Sequence, residues 1–130
     1  MKIDHIGIAV KDLETAIKAY KGLNLEVTST DTVAGEGVKV AFLPVGEIRI
    51  ELLQAINPDS IMVKFIEKRG EGVHHIAFEV KDMDDRIAEM RDRGINLIQQ
   101  GRWTTYSGGR YAYFNSNDRL AVMLELLENF

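Results

Sequence analysis

Four polar residues stand where apolar strands would bury them: His5, Glu51, His75 and Glu125. Glu51 lies inside Ile50-Glu51-Leu52-Leu53, and Glu125 inside Leu124-Glu125-Leu126-Leu127. If such a strand is central, its carboxylate must be paired, hydrogen-bonded or coordinated, because a lone buried charge is costly. Two imidazoles and two carboxylates form a normal nitrogen and oxygen donor set for zinc, cobalt, nickel, manganese or iron. The competing reading is structural. A single strand histidine more often makes a hydrogen bond than ligates a metal, and Glu51 could pair with Arg49 or Lys39 at a sheet edge.

The elements that must position these residues occur twice. Ile3-Asp4-His5-Ile6-Gly7-Ile8-Ala9-Val10-Lys11-Asp12-Leu13 aligns without a gap to Val73-His74-His75-Ile76-Ala77-Phe78-Glu79-Val80-Lys81-Asp82-Met83. In the same order, Gly22-Leu23-Asn24-Leu25 answers Gly94-Ile95-Asn96-Leu97, and Lys39-Val40-Ala41-Phe42-Leu43 answers Arg110-Tyr111-Ala112-Tyr113-Phe114. The two carboxylate runs close the series. A repeat keeps apolar character easily, but it has no structural reason to keep histidine with histidine and glutamate with glutamate. The duplication therefore favours the metal over the structural reading.

Each copy reads as strand, helix and three strands. Residues 2–10 alternate, with Ile6, Ile8 and Val10 on one face and His5, Gly7 and Ala9 on the other. The bulky face suits a helix, so both histidines point to the side left free. Asp12 stands at a helix N-cap, Leu13, Ala16, Ile17 and Tyr20 form one helical stripe, and Gly22 ends it. In the second copy Asp82 caps, Met83, Ile87 and Met90 form the stripe, and Gly94 closes. Strand-like runs follow at 24–30, 37–45 and 47–54, then at 95–100, 109–115 and 120–128. The chain thus reads as a single domain over 1–130. Its first module spans about 1–56 and its second about 72–130. A linker helix at about 58–70 joins them, with Met62, Phe65 and Ile66 as apolar positions.

Composition narrows the function classes. The 130 residues are 45% hydrophobic and 28% charged, enough for one packed domain. Twenty acidic against 16 basic residues give a net charge of −4, which argues against a nucleic-acid surface. There is no cysteine, so thiolate catalysis, disulfides and Cys-type zinc sites are excluded. Met1-Lys2-Ile3-Asp4-His5 lacks a signal-peptide profile, and no apolar run has the length of a membrane span. A cytoplasmic protein is expected.

Asp4-His5-Ile6-Gly7-Ile8-Ala9-Val10 and His74-His75-Ile76-Ala77-Phe78-Glu79-Val80 resemble the vicinal oxygen chelate (glyoxalase/bleomycin resistance/dioxygenase) superfamily. Three further stretches are similar to its methylmalonyl-CoA epimerases. They are Gly37-Val38-Lys39-Val40-Ala41-Phe42-Leu43, Pro58-Asp59-Ser60, and the run from Lys64 to Phe78. The general resemblance covers nearly the whole chain, the specific one about residues 2–80. It implies an α+β fold in which two tandem βαβββ modules form a cupped mixed β-sheet around a metal site. It implies one divalent ion (cobalt, zinc, nickel or manganese) held by His5, Glu51, His75 and Glu125. It also implies an acyl-CoA substrate and a homodimer. In some epimerases the Glu51 position is glutamine. The loop from Thr104 to Arg110 and the turn Asn115-Ser116-Asn117-Asp118 depart from the epimerase pattern. Val40 stands where some epimerases carry a second glutamate base.

The implied reaction is epimerisation of a 2-substituted malonyl thioester. A weakly acidic α-proton leaves, an enolate forms, and a proton returns on the opposite face. A metal stabilises the enolate charge and a carboxylate shuttles the proton. Glu125 is the expected catalytic base on one face of the α-carbon, and the second acid/base is unassigned. A glyoxalase I-like lactoylglutathione lyase fits the same quartet, and a non-catalytic resistance-type binding protein is the alternative outside enzymes. A dioxygenase fits less well, since Glu51 would crowd its two-histidine, one-carboxylate iron site. Trp103 and Tyr106 could line a substrate mouth, whereas Tyr111 or Tyr113 packs in the sheet. Lys64, Lys68 and Arg69 read as a solvated helix face before CoA phosphate contacts. Glu79 shares strand parity with His75 and could reach the cup, but reads first as a solvated or salt-bridged strand end, and His74 reads as a structural or rim residue.

Overall fold

The computed structural model describes residues 1–102, 109–115 and 122–129. The fold is α+β: a mixed β-sheet and, among the described residues, three helices, in an order consistent with tandem βαβββ modules. The first set is β1 (Lys2–Ala9), α1 (Leu13–Lys21), β2 (Ser29–Val33), β3 (Val38–Val45) and β4 (Ile48–Ala55). The linker forms α2 (Ile61–Arg69). The second set is β5 (Gly72–Glu79), α3 (Met83–Asp92), β6 (Asn96–Arg102), β7 (Arg110–Asn115) and β8 (Met123–Glu128).

Two compact units divide the chain, one of His5–His74 and one of Met1–Asp4 with His75–Phe130. In the His5–His74 unit the strand order is β2-β3-β4-β1, parallel between β1 and β4 and otherwise antiparallel. Apolar residues fill both faces. On one face Val10, Leu13, Ala41, Leu43 and Leu52 are buried, with Ala16, Ile17 and Tyr20 of α1 against them. On the other, Ala9, Val38, Val40 and Leu53 bury Met62 of α2, with Phe65 and Ile66 alongside. The linker helix therefore covers part of the face that carries His5, instead of only bridging the modules.

In the other unit the order is β5-β8-β7-β6, and β5 is parallel to β8. Val80, Met83, Ala112, Phe114 and Leu126 form the core, with Ile87 and Met90 of α3 packed against it. Lys2 and Glu79 pair at 3.3 Å, so Glu79 is a salt-bridged strand end.

Local details depart from the sequence reading in three places. The run at 24–30 is not a strand along its length; β2 begins at Ser29. Leu25 and Val27 pack toward α1 instead. The register pairs Ser29 with Phe42, which would set Val27 opposite Pro44, a residue with no N–H to give. Gly22 sits in right-handed geometry at the end of α1, and the left-handed residue is Asn24 at φ 62°. Asp12 caps α1 by accepting from Glu14 N, but Asp82 makes no side-chain cap on α3.

Candidate metal centre

The last strand of each module does two jobs because its side chains alternate between faces. Gln54 of β4 reaches the helix side, where its Oε1 accepts the Leu13 N–H at 2.6 Å and closes the start of α1. Glu128 of β8 does the same for α3, accepting the Met83 N–H at 3.0 Å. That bond supplies the cap which Asp82 does not. Three residues earlier on each strand stand Glu51 and Glu125, on the opposite face.

Register then brings each glutamate to a histidine. On the parallel pair β1–β4, His5 faces Arg49 and Gly7 faces Glu51. On β5–β8, His75 faces Met123 and Ala77 faces Glu125. The stagger is the same in both halves, and the residue opposite each glutamate is small. His5 Nδ1 lies 3.2 Å from Glu51 Oε2, and His75 Nε2 lies 3.4 Å from Glu125 Oε1. Exposures of 2% and 8% for the first pair, and 5% and 0% for the second, place all four in the interior. Each unit thus holds one buried imidazole–carboxylate pair. Such a pair can share a proton or supply one nitrogen and one oxygen ligand to a cation. The donor types fit a divalent transition metal.

Neighbouring side chains shape each pair. Arg49 Nε donates to Glu51 Oε2 at 2.9 Å, and Arg49 Nη2 is 3.5 Å from His5 Nδ1. Its guanidinium carbon lies 5.8 Å from the centroid of the Phe42 ring, whose residue is the cross-strand partner of Glu51. In the other unit Tyr113 is the cross-strand partner of Glu125 and meets His75 edge-on at 6.1 Å. Tyr113 is therefore a wall of the second pair, not merely a sheet-packing residue. Position alone could have found it, since Phe42 and Tyr113 are equivalent in the repeat.

Glu36, just before β3, was not singled out by the sequence. Burial first, and the Glu51 charge second, hold its carboxyl above the ordinary glutamate value. His74 is buried against Phe65 of α2, ring centroids 4.9 Å apart, and burial pushes its imidazole down to about 4. It is neutral at pH 7 and serves the packing of α2. Lys64, Lys68 and Arg69 lie exposed on α2. Trp103, Tyr106, most of the loop from Thr104, and Ser116-Asn117-Asp118 lie outside the described residues. Gly109 at the head of β7 is described. A Cβ there would stand 2.6 Å from the Glu128 carbonyl oxygen, so the glycine is needed for close approach to β8.

Comparison with known proteins follows the same lines. Residues 4–114 match the Glyoxalase/Bleomycin resistance protein/Dioxygenase superfamily. The uncharacterized protein YqjC of Bacillus subtilis is 32% identical over 98% of this chain and 91% of its own length. The mitochondrial methylmalonyl-CoA epimerase of Bos taurus is 28% identical over 96% of this chain and 73% of its own. Among solved structures, a variant of Streptomyces coelicolor methylmalonyl-CoA epimerase in complex with 2-nitronate-propionyl-CoA aligns with a TM-score of 0.86. It is 34% identical and covers 99% of this chain and 94% of that one.

Proposed function

The chain belongs to the Glyoxalase/Bleomycin resistance protein/Dioxygenase superfamily, and from that premise we propose that it is a metal-dependent epimerase of methylmalonyl-CoA or a related 2-substituted malonyl-CoA. The observation that carries this reading is the likeness, over nearly the whole chain, to epimerases of that substrate class. His5, Glu51, His75 and Glu125 would together hold one divalent ion, cobalt, zinc, nickel or manganese. What supports the quartet is the matched stagger of His and Glu in each unit and the burial of all four side chains. When bound, the ion supplies Lewis acidity for the negative charge that develops on the thioester oxygen.

The chain's own residues do the rest. Glu125 takes the α-proton onto a carboxylate oxygen, a second proton-bearing group that exchanges with solvent gives one to the opposite face of the α-carbon, and proton transfer between the two groups after turnover restores both, so atoms and charge balance. Burial of Glu125 keeps water from competing for that proton. Tyr113 and His75 limit the directions in which the carboxylate can turn. An acyl-CoA substrate, a homodimer and a cytoplasmic location accompany this reading. Among the described residues no helix is long and apolar enough to cross a membrane.

Deuterium exchange tests the reaction. Metal-loaded protein incubated with (2R)-methylmalonyl-CoA in D2O is expected to place deuterium at the α-carbon as the epimers equilibrate. No uptake, together with turnover of a glutathione hemithioacetal, would assign lactoylglutathione lyase chemistry instead. Neither activity would leave a binding protein of the same fold.

A further inference from the structure

We infer that Arg49 sets the charge of the proposed metal centre, restraining Glu51 and turning the site toward anionic ligands. The inference rests on the metal centre proposed above, but not on the identity of the reaction. Arg49 stands two residues before Glu51 on β4, hence on the same face. Its Nε donates to Glu51 Oε2 at 2.9 Å, the same oxygen that lies 3.2 Å from His5 Nδ1. Phe42 carries the guanidinium at 5.8 Å, a distance at which an aromatic face attracts a cation. The side chain of Arg49 is 37% exposed, against 11% for Glu51. The cation therefore spans from the buried pair to the solvent side.

The repeat supplies the contrast. Arg49 faces His5 in the β1–β4 register, and the residue that faces His75 in β5–β8 is Met123. The ligand pairs are matched, but the residue facing the histidine is a cation in the first and an uncharged methionine in the second. Two carboxylate ligands offset the charge of a divalent ion and so lower its attraction for an anion. One guanidinium bound to Glu51 makes the same centre one charge more positive than it is without Arg49. It also competes with the metal for Glu51 Oε2 and repels the ion. Arg49 thus weakens metal binding while strengthening the hold on a carboxylate such as that of a malonyl group. These two effects have opposite signs, which no merely structural role would produce.

The test compares wild-type protein with Arg49→Met, which copies the second repeat, and Arg49→Lys, which keeps the charge without the planar fork. Co(II) is titrated into each metal-free protein and followed by its visible absorption. Malonate is then titrated into the Co(II)-loaded forms. Arg49→Met is expected to bind Co(II) about tenfold more tightly and malonate about tenfold more weakly, as loss of one partly solvated charge near the ion implies. Arg49→Lys is expected to recover malonate binding to within about threefold of wild type. Unchanged or weaker Co(II) binding by Arg49→Met overturns the inference, because Arg49 would then only hold Glu51 in place. Unchanged malonate binding overturns it equally. If the wild-type protein takes up no Co(II), the metal centre falls and this inference with it. If wild type binds and Arg49→Met matches it, this inference alone falls.

Discussion

Glu36 and Glu51 are two carboxylates of one unit, and burial together with the Glu51 charge makes Glu36 hold its proton to a higher pH than a free glutamate does. The folded value of Glu36 lies above the ordinary 4.5 because of burial first and the Glu51 charge second. Between 4.5 and that raised value the folded chain keeps a proton that the unfolded chain has released. Stability therefore falls as pH rises through this window. Glu36→Gln removes the titration, so the metal-free variant should gain stability over wild type at about pH 7 and gain less at about pH 4. Urea denaturation at the two pH values checks it; an equal difference at both would remove Glu36 as the cause. Residue chemistry of this kind was only partly legible beforehand. Glu51 was readable as a metal ligand or as the partner of Arg49, and the geometry shows the second bond made without excluding the first. Glu36 carried no motif, because its environment depends on where the turn before Gly37 places it.

Elements were legible where periodicity was strong and displaced where tertiary partners decided. The stripes Leu13-Ala16-Ile17-Tyr20 and Met83-Ile87-Met90 give helices packed where expected. The start of β2 was not readable from its own residues, since continuing its register would set Val27 against Pro44 of a different strand, which has no N–H to give. Nor was the cap of α3, which comes from Glu128, far along the chain. Gln54 and Glu128 link helix starts to the strands that carry Glu51 and Glu125, so loss of a cap should reach the buried pairs. Gln54→Ala is expected to cost about 1 kcal/mol through the lost bond to the α1 terminus. Glu128→Ala should cost at least as much, because Glu128 also lies 3.6 Å from Arg110. Thermal denaturation of both variants measures this. A loss confined to Glu128→Ala would mean that Asp12, which also caps α1, carries that terminus alone.

At the scale of the whole chain, duplication is what made function readable at all. Neither His5 with Glu51 nor His75 with Glu125 exceeds a common buried pair when taken singly. Their recurrence at the same register in both halves is what supports the proposal of one cation. The proposed quartet makes a claim about stoichiometry. One ion per chain, held by both repeats, means that a ligand removed from either repeat affects all of the metal. Two independent sites would instead leave half of it behind. Outer-sphere partners of a metal are typically worth about 10–100-fold in affinity, so loss of a direct ligand should exceed that. A metal supplied at about 100 times its dissociation constant stabilises the folded chain by about 2.7 kcal/mol. His5→Ala and His75→Ala should therefore each abolish the metal-dependent rise in melting temperature, and each should leave the purified chain without a stoichiometric ion. Elemental analysis beside melting curves with and without a chelator reads both quantities. One residual ion per two wild-type ions in either variant would divide the centre in two. Unchanged metal content in both would remove these histidines from it.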